Sequence, residues 1–119
     1  MGQVMIHLSR GKEDVERATL AFVVANAGLT AGQDSTILLT LDAVWLATQG
    51  YTDGMQASDF APLSNVISGF IANGGKVWVC GACAKPRAID ASHLIEGATM
   101  VGAVAAVEAL VGGAQTLSF

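Results

Sequence analysis

"VWVCGACAKPR", residues 77–87, opens as an apolar, β-branched run, meets a C-x-x-C pair and continues through small residues to Lys-Pro-Arg. The run from Lys76 to Cys80 reads as a strand, and its apolar character is that expected of a strand buried on both faces of a parallel sheet. Just before it, Gly74 and Gly75 stop a helix that begins at Pro62. Leu63, Val66, Ile67, Phe70 and Ile71 form one apolar stripe along that helix. A helix feeding a buried strand, with a further helical start behind it, is the repeating unit of an α/β sheet.

Working outward, the same alternation covers the chain. "QVMIHLS" (3–9) is a strand candidate, followed by a helix with Asp14 as N-cap and Gly32 as stop. "STILLT" (35–40) reads as a second strand and "LDAVWLATQG" (41–50) as a short helix closed by Gly50. A turn-rich loop spans 51–61. "ATMVG" (98–102), "AVAAVEALVGG" (103–113) and "QTLSF" (115–119) give a strand, a small-residue helix and a last strand. The expected fold is α/β: a three-layer sandwich around a mostly parallel five-stranded sheet, flavodoxin-like or of related topology. With no repeat, linker or low-complexity tract, residues 1–119 read as one domain.

Composition narrows the function classes. The chain is 52% hydrophobic and only 13% charged, against roughly 25% charged in an average globular protein. Part of its apolar surface therefore needs cover from outside the subunit, and a homo-oligomer supplies it most simply. Apolar stretches are broken by Gly, Asp or Glu before the ~20 residues of a spanning helix, so no membrane partner is expected. The N-terminus lacks the features of a signal peptide and of a myristoylation site, which points to a cytoplasmic protein. A net charge of -4 without a basic cluster argues against nucleic acid.

Cys80 and Cys83 are the chain's two cysteines. Cys80 ends its strand, and open parallel sheets gather functional groups outside the carboxyl ends of their strands. A helical turn beginning at Gly81 would place Cys80 at its N-terminus, where the thiolate is favoured. Cys80, Cys83 and Arg87 stand at i, i+3 and i+7, one helix face, so Arg87 is expected to bring positive charge toward the sulfur. A cysteine ending a strand is often a small apolar filler. Both cysteines of a chain, paired at a sheet's carboxyl edge, favour function.

Other chemistries fit these residues less well. Thiol–disulfide exchange suits a C-x-x-C pair, since one thiolate attacks and the other resolves. Here Val79 precedes Cys80, Gly81 and Ala82 fill the motif, and neither proline precedes a strand, all unlike thioredoxin. A structural or ligand-binding oligomer with incidental thiols is the non-enzymatic alternative. One C-x-x-C with His7 and His93 falls short of a closed zinc site, so no metal is expected. His7 reads as a satisfied core histidine near the active edge. Trp78 reads as buried sheet, and Trp45 and Tyr51 as lining an interface or the cleft. The glycine after the first strand matches no phosphate cradle, and no cofactor is expected.

"GGKVWVCGACAKPRAI" (74–89) resembles the strand-to-cysteine segment of the DsrE/DsrF-like sulfur-relay family, with its TusD- and YchN-like branches. An Arg commonly follows the family's cysteine by seven positions, as Arg87 follows Cys80, and the YchN-like branch has a second cysteine where Cys83 stands. "GKEDVERA" (11–18), "AVWLATQG" (43–50) and the "TLSF" ending resemble its other blocks in order and spacing. The family often has Arg-Gly where this chain has Arg87-Ala88. The resemblance implies small α/β subunits assembled as homotrimers or homohexamers. It also implies Cys80 as acceptor of sulfane sulfur, Cys83 as accessory thiol, Arg87 as a nearby charge, and donor and acceptor proteins as partners. Such a persulfide carrier, or sulfurtransferase, has a protein persulfide as its product.

Overall fold

The computed structural model describes residues 2–119. Five strands, β1 (Gln3–Leu8), β2 (Asp34–Leu39), β3 (Lys76–Cys80), β4 (Ala98–Val101) and β5 (Gln115–Ser118), form one sheet in the order β4-β3-β2-β1-β5. Every neighbouring pair is parallel. The helices are α1 (Val15–Thr30), α2 (Leu63–Ala72), the single turn α3 (Gly81–Ala84) and α4 (Ala103–Val111).

Local signals act where they were expected. Asp14 caps α1 by accepting the Arg17 amide at 3.1 Å, and its carboxylate also meets Arg17 Nε at 2.9 Å. Gly74 takes φ +97° beyond the end of α2, a conformation that disfavours side chains. At Gly75 a Cβ would come within 2.3 Å of the Phe70 ring, so the turn into β3 needs glycine for space.

From β1 to β4 the chain steps across the sheet in one direction. Right-handed crossovers then carry every connection to the same face. Ile6, Leu8, Ile37, Leu39, Val77 and Val79 point to that face and are buried. Burying each such side chain stabilises the fold by about 1.5–3 kcal/mol. Phe22 of α1 and Phe70 of α2 meet edge-on above them, their centroids 6.1 Å apart.

The step from β4 to β5 runs back across the sheet and puts α4 on the opposite face. Cover there is thin. The half-buried residues of α4 are Ala105, Ala106 and Ala109, and a hollow of about 110 Å³ lies between Ala109 and Met5, Thr36 and Trp78. Its larger side chains face away: Val104, Val107, Leu110 and Val111 are exposed, Val111 by 83%. On the α1 side of the sheet, Leu117 of the edge strand β5, the register partner of Ile6, is 58% exposed.

Three expectations change. β3 is not buried on both faces: Val77 and Val79 are buried, whereas Trp78 and Cys80 are half-exposed. The segment after β2 is a 3-10 helix, Leu41–Ala47, entered through Leu41 at φ +50°. Pro62 precedes α2 in extended geometry (φ -52°, ψ 137°) and is not its first helical residue.

Candidate functional site

Cys80 and Val101 are register partners at the carboxyl ends of β3 and β4. Beyond Cys80 the chain bends to the α1–α2 face, where Ala84 and Ile89 join the core. Beyond Val101 it leaves through Gly102 toward α4 on the other face. Neighbouring strands with diverging exits open a crevice at the carboxyl edge, the usual site of chemistry in open α/β sheets. Cys80 stands at this parting.

Cys80 is the N-cap of α3 and Cys83 its third helical residue; both are half-buried and unbridged. The Cys80 thiol titrates above its ordinary value of 9.0, first because burial disfavours the anion. The Cys83 side chain adds to the rise, while the amides of Cys83 and Ala82 oppose it. The expected effect of a helix start is thus present as two amide contacts. It is outweighed because α3 is one turn long and the sulfur is partly desolvated.

Arg87 does not aim at the sulfur. After α3 the chain tightens into a 3-10 turn, Lys85–Arg87. From there Arg87 Nε and Nη2 donate to Asp42 Oδ1 at 3.1 and 3.0 Å, and Nη1 donates to the Cys83 carbonyl at 3.0 Å. Its charge is matched by Asp42, and its geometry ties the thiol turn to the 3-10 segment behind β2. The sequence gives no sign of Asp42, which is distant along the chain and part of no motif. The next residue, Ala88, adopts left-handed geometry (φ +56°, ψ 35°) at the position where the family often has glycine.

Two open depressions flank this turn. One of about 570 Å³ includes Gly81, Lys85, Ile89 and Met100 in its lining, and one of about 390 Å³ includes Trp45, Gln49, Ile89 and His93. Trp45 stacks on Tyr51 with centroids 5.8 Å apart. Both histidines have partners elsewhere. His7 Nε2 lies 2.7 Å from Thr40 Oγ1 and Nδ1 lies 3.2 Å from Ser118 Oγ, which ties β1 to the ends of its neighbours. His93 Nδ1 accepts the Asp90 amide at 3.0 Å. Among the described residues no three His, Cys, Asp or Glu side chains converge as a metal site would require. Another cleft, about 550 Å³ over Leu46, Ile67, Ile71 and Ile95, includes neither cysteine nor Arg87.

A model of the DsrE/DsrF-like family matches residues 3–119. The chain is 29% identical over 101 residues to an uncharacterised protein of Methanocaldococcus jannaschii, MJ0760, a match covering 85% of this chain and 37% of that protein. It therefore spans little more than a third of that relative. In fold it is similar to the YchN protein of E. coli, with a TM-score of 0.75 and 18% identity over the whole of both chains. MTH1491 of Methanobacterium thermoautotrophicum, a protein of unknown function, is likewise similar over both whole chains, with a TM-score of 0.72 and 15% identity.

Two outcomes are expected from this geometry. Ala88→Gly removes a left-handed alanine, which costs about 1–2 kcal/mol, and adds glycine's smaller entropic cost. Urea unfolding should show a net gain of up to about 1 kcal/mol; a loss of stability would contradict the strain. Cys80 alkylation, followed by peptide mapping across pH, should have its midpoint above 9.0 because burial retains the proton in the folded state. The linked stability is present below pH 9.0 and is lost as pH rises toward the folded-state value. A midpoint below 9.0 would reverse that sign.

Proposed function

The chain belongs to the DsrE/DsrF-like family, and we propose that within this sulfur-relay family it carries sulfane sulfur on Cys80 as a persulfide and delivers it to a partner protein. The observation that supports the reading best is the position of Cys80, half-exposed where β3 and β4 part. In the loading step the Cys80 thiolate attacks the terminal sulfur of a donor persulfide. A new S–S bond forms on Cys80, the donor's S–S bond breaks, and the donor leaves as a thiolate that takes up a proton. Delivery is the same displacement in reverse, by an acceptor thiolate, with no net oxidation in either step.

The raised Cys80 titration keeps the resting thiol quiet and leaves its thiolate a stronger nucleophile once formed. After loading, the negative charge sits on the outer sulfur, one atom further from the protein that disfavours it. Cys83 acts beside it as an accessory thiol. Arg87 is a positioning residue, holding the Cys83 carbonyl and Asp42 together so that the thiol turn keeps its shape.

The same reading gives the carrier copies of itself as partners. Val104, Val107 and Leu110 of α4 expose apolar side chains that a second subunit would cover, in a homotrimer or homohexamer. The described residues contain no helix long and apolar enough to cross a membrane, and a cytoplasmic site of action is part of the proposal.

Mass spectrometry after incubation with a cysteine desulfurase and cysteine should show a gain of one sulfur atom, absent in Cys80→Ser. A Cys83→Ser protein that gains nothing, or a Cys80→Ser variant that gains as much as the wild type, would overturn the carrier role. In size-exclusion chromatography the wild type should elute as a multiple of the subunit and Val107→Glu as a smaller species. A monomeric wild type would remove the assembly.

A further inference from the structure

Cys80 and Cys83 occupy the N-cap and third positions of one helical turn. This is the spacing of a capping box, in which each side chain lies within reach of the other residue's backbone. Positions i and i+3 of a helix bring their Cβ atoms to about 5–6 Å, close to the range that a disulfide spans with small adjustment. The environment of Cys80 records this proximity, because both the side chain and the amide of Cys83 bear on its ionisation. Gly81 and Ala82 put nothing large between the sulfurs, and both thiols are half-exposed and reduced. Arg87 donates to the Cys83 carbonyl at 3.0 Å, which holds the backbone of the turn that carries both thiols.

We infer that Cys83 is a resolving thiol that discharges a stranded Cys80 persulfide as sulfide, so that the carrier empties itself when no acceptor docks. This inference rests on the carrier reading of Cys80. The Cys83 thiolate attacks the inner sulfur, Sγ of Cys80. A Cys80–Cys83 disulfide forms, the bond between Sγ and the outer sulfur breaks, and the outer sulfur leaves with the electron pair as hydrosulfide. The sulfane sulfur is reduced by two electrons and the two cysteines are oxidised by two. A dithiol reductant, small molecule or protein, then restores the thiols and returns the chain to the loading state. Delivery and discharge differ in which sulfur is attacked. A docked acceptor takes the exposed outer sulfur, whereas Cys83, three residues on in the same turn, takes the inner one.

The test loads the wild type, Cys83→Ser and Cys83→Ala with inorganic polysulfide, removes excess reagent, and follows intact mass and released sulfide with time. The wild type should pass from a mass one sulfur heavier to a mass two hydrogens lighter than the reduced chain, releasing one sulfide per chain. Both variants should hold the added sulfur about tenfold longer or more, since they lack the intramolecular attack. Equal persulfide lifetimes in all three proteins, or loss of sulfur without the disulfide mass, would overturn the discharge while leaving the carrier role intact. If no protein takes up sulfur at Cys80, the carrier reading fails, and the discharge fails with it.

Discussion

The handedness of the β-α-β crossover governs the arrangement of this molecule. Three successive steps in one direction across the sheet oblige α1, α2 and the segment after β3 to share a face. The fourth strand is followed by a return to the β1 edge, and that return sends α4 to the other side. Two consequences come from this one constraint. The core is concentrated on a single face, where Phe22 and Phe70 close it. The exits of β3 and β4 also part, leaving Cys80 at an open edge instead of under a helix.

At that edge opposing influences act on one sulfur. Partial burial and the neighbouring thiol hold the proton on Cys80, while two backbone amides favour the anion. A thiol balanced in this way ionises reluctantly, yet it has amide donors in place for negative charge on the sulfur. The Arg87–Asp42 pair belongs to the frame around the sulfur. Arg87 is largely covered and Asp42 is more than half exposed, so the pair is valuable for the direction it gives the guanidinium more than for its Coulomb energy.

The legible parts of the sequence were those decided within a few residues. The Asp14 cap, the glycine stops after α1 and α2, and the passage of β3 into the C-x-x-C turn each depend on near neighbours, and each stands in the structure. The alternation of strands and helices also sufficed for a parallel α/β sheet. Strand order was out of reach, because pairing of β5 beside β1 joins the two ends of the chain. The two-sided burial assigned to β3 assumed equal cover on both faces, and the alanine face of α4 does not supply it. Helical spacing aligned Arg87 with the cysteines, but the chain tightens to a 3-10 turn and Asp42, 45 residues away, draws the side chain aside. The sign of the Cys80 shift depended on how far its strand end is desolvated, a property of the packed fold that residue spacing does not contain.

The pale packing of α4 has a kinetic meaning for the lone subunit. A short helix resting on three alanines, followed by a four-residue edge strand, has little to hold it closed beyond its own backbone bonds. Its amides should trade hydrogen with solvent earlier than those of β2 or α1, which are locked into the core. If copies cover that face as proposed, dilution would loosen the α4–β5 segment before the rest and concentration would tighten it, making its order a gauge of how crowded the subunits are.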